Sequence, residues 1–178
     1  MVGRRSAAPL VSVIIPTYDR DDFLVRAVAS VCGQTHGEIE CIVVNDAGPS
    51  VRQRFSDPRV RVVTTDHRGG PGPARNAGLG AATGDFVCFL DDDDVLSPRR
   101  IELGLSLASR SRISIVNWAS LSLADRGTMN FEGDFRVRIA RGHWPGVGQA
   151  LIRREDCKEF GSYRVAEDYE WWLRMAPL

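Results

Sequence analysis

Four consecutive carboxylates, Asp91-Asp92-Asp93-Asp94, follow directly on the apolar run Phe86-Val87-Cys88-Phe89-Leu90. Neighbouring negative charges repel by roughly 1 kcal/mol per pair at ~4 Å in water, and by more where solvent is excluded. Four of them at the mouth of a buried strand call for compensating positive charge. A hard divalent cation, Mn2+ or Mg2+, answers that need, because carboxylate oxygens suit it and it keeps open positions for phosphate oxygens. A solvated acidic loop is the competing reading. The strand in front, and Ser97-Pro98 opening a helix behind, argue against it. The tetrad reads as a metal and phosphate site.

The elements around it decide what else reaches that site. Short apolar strands alternate with helical segments, the pattern of an α/β domain with a mostly parallel sheet flanked by helices. Val11 to Ile15 is a strand stopped by Pro16. Asp21-Asp22 cap a helix with Leu24, Ala27, Val28 and Val31 on one face, ended by Gly33. Cys41 to Val44 and Val60 to Thr64 are strands, with a short helix around Val51 to Phe55 between them. Asp66 to Pro73 is a mobile or tightly turned loop before a helix over Ala74 to Ala82. Thr83-Gly84-Asp85 turns into the central strand, Phe86 to Leu90. Pro98 sits in the first turn of a helix bearing Ile101, Leu103, Leu105 and Leu107. Ile113 to Trp118 is a further strand, and Phe131 to Ile139 alternates like an antiparallel strand or hairpin. Gly142 to Gly148 is a glycine-rich loop, followed by a helix near Arg153 to Phe160 and a last segment, Glu167 to Met175.

Thr17-Tyr18-Asp19, Asn45-Asp46 and Asp91 to Asp94 all fall where strands finish, and open α/β sheets bind ligands outside the carboxyl ends of their strands. Polar residues gathered there from distant strands imply one cleft. The whole chain, 178 residues, has the size of a single domain. Lys+Arg and Asp+Glu balance at 23 each, so no global field recruits nucleic acid or an anionic membrane. The four cysteines form no C-x-x-C pair and no zinc spacing. Cys41 and Cys88 lie in strand-like runs as small buried hydrophobes, which points to a reducing compartment. Arg4-Arg5 before Leu10 to Ile15 is too short and too interrupted for a signal peptide, and no run approaches the ~20 apolar residues of a membrane span. The expected location is cytoplasmic.

Val11-Ser12-Val13-Ile14-Ile15-Pro16-Thr17-Tyr18 resembles the opening strand of family-2 glycosyltransferases, enzymes of the nucleotide-sugar-binding A-type (GT-A, Rossmann-like) fold. Further matches come in the same order: Ser30 to Thr35, Ile42 to Asp46, Ala74-Arg75-Asn76-Ala77-Gly78, Ala82 to Asp85, Phe89 to Asp94 and Ala166 to Tyr169. Each is loose alone; in order they are specific. The resemblance implies an inverting, metal-dependent transferase acting on a nucleotide-diphospho sugar, with a UDP-sugar favoured, and a saccharide, lipid-linked or small-molecule acceptor. It implies one catalytic domain over 1–178, with donor contacts from about 11–98 and acceptor contacts from about 113–178. Pro16, Tyr18 and Asp46 are expected in the base and ribose pocket. The acidic run corresponds to the family's D-x-D motif, with Asp93 the metal ligand and Asp91 and Asp92 contacting ribose or ligated water. Arg75 is either a planar, permanently charged donor to the diphosphate or a structural partner of Asp85 or the acidic run. Glu167-Asp168 opens a helix beneath the acceptor site, with Asp168 the general base; the alternative is a pair that merely suits a helix N-terminus. Trp144 is a candidate to stack on a sugar ring, His143 reads as a surface histidine, and Trp171 and Trp172 read as core.

Asp19 and Asn45 depart from the family's usual asparagine and aspartate. The chain has no histidine after His143, and many relatives run on past the Glu-Asp helix. It is therefore expected to be either a minimal catalytic core or a form lacking a closing segment, and a non-catalytic nucleotide-sugar-binding module is the second reading. A nucleotidyltransferase ranks lower, since Pro16 to Arg20 holds no glycine for a phosphate loop. A dinucleotide oxidoreductase ranks lower still, since no G-x-G-x-x-G follows a strand.

Overall fold

The computed structural model describes residues 8–49, 51, 55–108, 115–117, 146–161 and 167–175. Six strands form one sheet: β1 (Val11–Thr17), β2 (Ile39–Asn45), β3 (Val60–Thr64), β4 (Phe86–Phe89), β5 (Ile115–Asn117) and β6 (Ala150–Arg153). Among the described residues four helices accompany them: α1 (Asp21–Cys32), α2 (Pro71–Ala81), α3 (Arg100–Ala108) and α4 (Glu167–Met175). The order across the sheet is β3-β2-β1-β4-β6-β5. The pairs β1·β2, β1·β4 and β2·β3 are parallel, and β6 runs antiparallel to both β4 and β5.

Alternation along β1 sends Val11, Val13 and Ile15 into a core beneath α1 and α3, while Ile14 faces a second core with Trp171, Trp172, Phe89 and Phe160. Both faces are covered, which is why the strands read as continuous apolar runs. Ser12 interrupts its run because its hydroxyl donates to Glu40 and accepts from the Gly84 N–H. Gly78 lets α2 lie against the sheet: a Cβ there would stand 2.3 Å from Ile14 Cγ2 and 3.0 Å from Val44 Cγ2.

Several expectations shift. Pro16 lies inside β1, paired in register with Val44. Its missing N–H points to the side of β4, where pairing has ended at Ile14·Phe89, so no ladder bond is lost. Asp21 and Asp22 are in the first turn of α1 and make no side-chain cap. α2 starts three residues earlier than expected, because Pro71 and Pro73 fit a first helical turn. Pro98 lies in the turn before α3, and Leu103 is exposed while Ile101 is buried. The helix expected over Arg153 to Phe160 is instead the end of β6 and a single 3₁₀ turn, Arg154–Asp156. There Arg154 is pinned to the start of β4, its N–H donating to Asp85 O and its Nε to Gly84 O. Asn76 then grips the Phe160 backbone with both amide atoms. The expected short helix at 51–55 and the strand at 131–139 lie partly or wholly outside the described residues, as do His143 and Trp144.

Candidate nucleotide-sugar site

β1, β2 and β4 end side by side, and a cavity of about 420 Å3 opens above them. Pro16, Tyr18, Asp46, Arg75, Asp91, Asp92, Asp93 and Glu167 all line it. Asp168, half-buried in the first turn of α4, is not in the lining; its Oδ1 accepts from the Tyr169 N–H. The lining also includes Thr17, from one of the polar clusters at the strand ends, and Arg20 and Arg68, which sequence patterns did not single out. An arginine beside an aspartate, or inside a glycine-rich turn, carries no periodic signal; only folding brings these to the acidic run.

Asp46 is buried at the end of β2 and organises the turn opposite. Its Oδ1 accepts from Gly69 N (2.9 Å) and its Oδ2 from Gly70 N (2.7 Å). Gly70 has φ 88°, a conformation that side chains with a Cβ resist. Among the described residues the second lone pair of Oδ2 is left for another donor. Tyr18 is partly exposed, and the Arg68 guanidinium lies over its ring, 3.8 Å from the centroid.

The positive charge that the tetrad requires comes from two arginines. Arg75, only 5% exposed, donates to Asp91 (2.6 Å) and Glu167 (3.3 Å) and lies over Phe160. It thus pairs with the acidic run and with α4, not with Asp85, whose carboxylate accepts from Leu10 N. Its buried Nε has no hydrogen-bond partner among the described residues. Arg20 bridges Asp92 (3.2 Å) and Asp93 (3.0 Å), and Thr17 Oγ1 donates to the other Asp92 oxygen at 2.7 Å. Asp92 is thereby buried with one donor on each oxygen, while Asp93 is half exposed. Burial, and then the charges of Asp91 and Asp93, raise the Asp94 carboxyl above the ordinary aspartate range. Two arginines, one of them shared with Glu167, leave part of the negative charge of the four aspartates uncompensated.

The donor set fits a divalent cation of the Mg2+ or Mn2+ kind. Among the described residues no group of three or more His, Cys, Asp or Glu side chains converges as a ready-made cage. Hard cations of this class are held by one or two carboxylates together with substrate phosphates, and exposed Asp93 offers such a carboxylate.

The chain matches the model of the family described as "Glycosyl transferase family 2" over residues 12–128. It is 36% identical over 159 residues to the succinoglycan biosynthesis protein ExoO of Rhizobium meliloti, covering 86% of this chain and 46% of that protein. It is 32% identical over 111 residues to the Escherichia coli UDP-Glc:alpha-D-GlcNAc-diphosphoundecaprenol beta-1,3-glucosyltransferase WfgD, covering 60% and 44%. The chain thus spans about half the length of these curated relatives. Among solved structures, S. aureus TarS 1-349 in complex with UDP-GlcNAc superposes with a TM-score of 0.74 at 20% identity, over 94% of this chain and 53% of that one. The mannosyltransferase PcManGT from Pyrobaculum calidifontis, in complex with GDP-Man and Mn2+, gives 0.73 at 20% identity, over 94% and 52%. These likenesses establish the GT-A fold. No helix among the described residues is long and apolar enough to cross a membrane. With a family match across most of the chain and an architecture to agree with it, this protein belongs to glycosyl transferase family 2.

Proposed function

We propose that this chain is the catalytic domain of a metal-dependent, inverting glycosyltransferase that moves a sugar from a nucleotide-diphospho sugar to an acceptor hydroxyl. The observation that carries this reading is the convergence of Asp91, Asp92 and Asp93 with Tyr18, Asp46, Arg75 and Glu167 on one cavity. Tyr18 and Asp46 form the base end, and the spare lone pair of Asp46 Oδ2 suits a pyrimidine N–H, which favours a UDP-sugar. Structural relatives have been solved in complex with UDP-GlcNAc and with GDP-Man, and titration with both nucleoside diphosphates decides the base. Asp91 and Asp92 face the ribose, and Arg75 directs fixed positive charge at the diphosphate. Asp93 holds the divalent cation, which when bound offsets the charge that develops on the leaving diphosphate.

On the acceptor side, α4 presents Asp168 as the general base, with Glu167 tied to Arg75 beside it. Asp168 takes the acceptor's hydroxyl proton, the oxygen bonds to the anomeric carbon, and the bond to the diphosphate breaks on the opposite face. One displacement inverts the anomeric configuration. Donor contacts come from about 11–98 and acceptor contacts from about 113–178, with Trp144 as a sugar platform; the setting is the cytoplasm. The acceptor is a saccharide, a lipid-linked sugar or a small molecule.

The test is donor turnover with Mn2+ and an acceptor panel. Asp168→Asn is expected to lower kcat by about 10²–10⁴ while UDP affinity holds. Asp93→Asn is expected to lose Mn2+-dependent UDP binding. Full transfer by Asp168→Asn would remove the base, and tight UDP binding without turnover in the unaltered protein would favour a binding module.

A further inference from the structure

Three arginines line the cavity, and they are not equivalent. Arg20 and Arg75 are each held by two carboxylates. Arg68 has no ion pair or hydrogen bond among the described residues; its guanidinium lies over the face of Tyr18, 3.8 Å from the centroid. No base fits between two groups so close, so this face of Tyr18 is already covered. The backbone beneath is fixed, because Asp46 accepts from both Gly69 and Gly70. The guanidinium is therefore seated over the ring, and Arg68 is at the same time part of the cavity lining.

We propose that Arg68 is a nucleotide-binding residue, its guanidinium forming with Tyr18 a two-layer platform on whose outer face the donor's base stacks. Guanidinium planes stack both on aromatic rings and on bases, so one plane serves both contacts. Tyr18 then acts on the nucleotide through Arg68, and Asp46 reads the base edge beside them. The proposal rests on the nucleotide-sugar reading above and adds the residue that carries the stack.

Calorimetric titration of the full chain with UDP, UMP and inorganic pyrophosphate, each with excess Mn2+, separates the contributions. GDP and thymidine diphosphate, with their monophosphates, replace the uridine pair if either diphosphate binds tighter. Arg68→Ala is expected to weaken the diphosphate and the monophosphate alike, by about tenfold, and to leave pyrophosphate unchanged. Arg68→Lys, which keeps the charge without the plane, is expected to be as weak as Arg68→Ala. Tyr18→Leu is expected to cost about as much in the unaltered protein but less than twofold in the Arg68→Ala background. Undiminished binding by Arg68→Ala, recovery in Arg68→Lys, or an equal loss for pyrophosphate would each overturn the platform. If the unaltered protein binds none of the three diphosphates, the nucleotide-sugar reading fails and Arg68 with it. Binding that ignores Arg68 sinks the platform alone.

Discussion

Asp92 and Asp93 are adjacent in the chain and opposite in circumstance. Asp92 is buried, with Thr17 and Arg20 each donating to one of its oxygens, whereas half-exposed Asp93 meets only Arg20 among the described residues. Hydrogen bonds to both oxygens of a buried carboxylate hold it in place, and that leaves the exposed neighbour as the adaptable ligand. Arg20 stands where a divalent cation would compete for the same oxygens. Arg20→Ala is therefore expected to bind Mn2+ several-fold more tightly in the absence of nucleotide, read by calorimetry or by the loss of the free-ion EPR signal. Its melting temperature should fall modestly, by the equivalent of about 1–3 kcal/mol. Arg20 is exposed, but its partner Asp92 is buried and would keep only Thr17 among the described residues. Unchanged Mn2+ affinity would show that Arg20 does not compete. The acidic run was legible because four like charges in a row demand a partner; Arg20 and Arg68 were not, because their partners lie across the fold.

Elements hold these side chains through two close contacts. Glu40, on β2, accepts from Ser12 on β1, from Thr83 and Gly84 in the turn before β4, and from Arg61 on β3. Burial pushes its carboxyl up, but hydrogen bonds from Ser12, Thr83 and Arg61 outweigh burial and bring it down to about 2. Unfolded glutamate titrates near ~4.3. The depressed value means that this stabilisation is complete above that pH and is lost as pH falls from ~4.3 toward 2. Glu40→Gln should lower stability at pH 7 by about 2 kcal/mol, solvent screening allowed for, and flatten the acid limb of a denaturation series. A parallel acid limb would refute this role. Gly78 is the other contact. Gly78→Ala drives a methyl into Ile14 and Val44 and is expected to cost about 1–3 kcal/mol, read as a lowered midpoint in chemical denaturation. Hydrophobic periodicity made α1 and the parallel strands readable. It could not reveal β6, because four residues bounded by polar chain read equally as the start of a helix.

At the scale of the molecule, the site is a junction between the two halves of the chain. Arg75 on α2 reaches both Asp91 after β4 and Glu167 at the start of α4, which lie 76 positions apart in sequence. A nucleotide docking there should stabilise the whole fold by mass action. At 100 times its Kd, a nucleoside diphosphate with Mn2+ is expected to add ~2.7 kcal/mol to unfolding, and excess chelator should remove that gain. A thermal shift indifferent to chelator would separate nucleotide binding from the metal.

The order of motifs, the alternation of strands and helices, and the placing of polar residues at strand ends are local properties of the chain. Such properties follow from periodicity and turn chemistry alone, so the family and the parallel core were open to inspection of the sequence. Which charges meet was not. On sequence grounds Arg75 could have met the diphosphate, Asp85 or the acidic run, and the fold pairs it with Asp91 of that run and with Glu167. Arg68 could have lain anywhere in a glycine-rich loop, and it lies on Tyr18. Electrostatic and stacking partners depend on distances of a few ångströms between segments far apart in the chain, and only the packed sheet with its helices sets those distances.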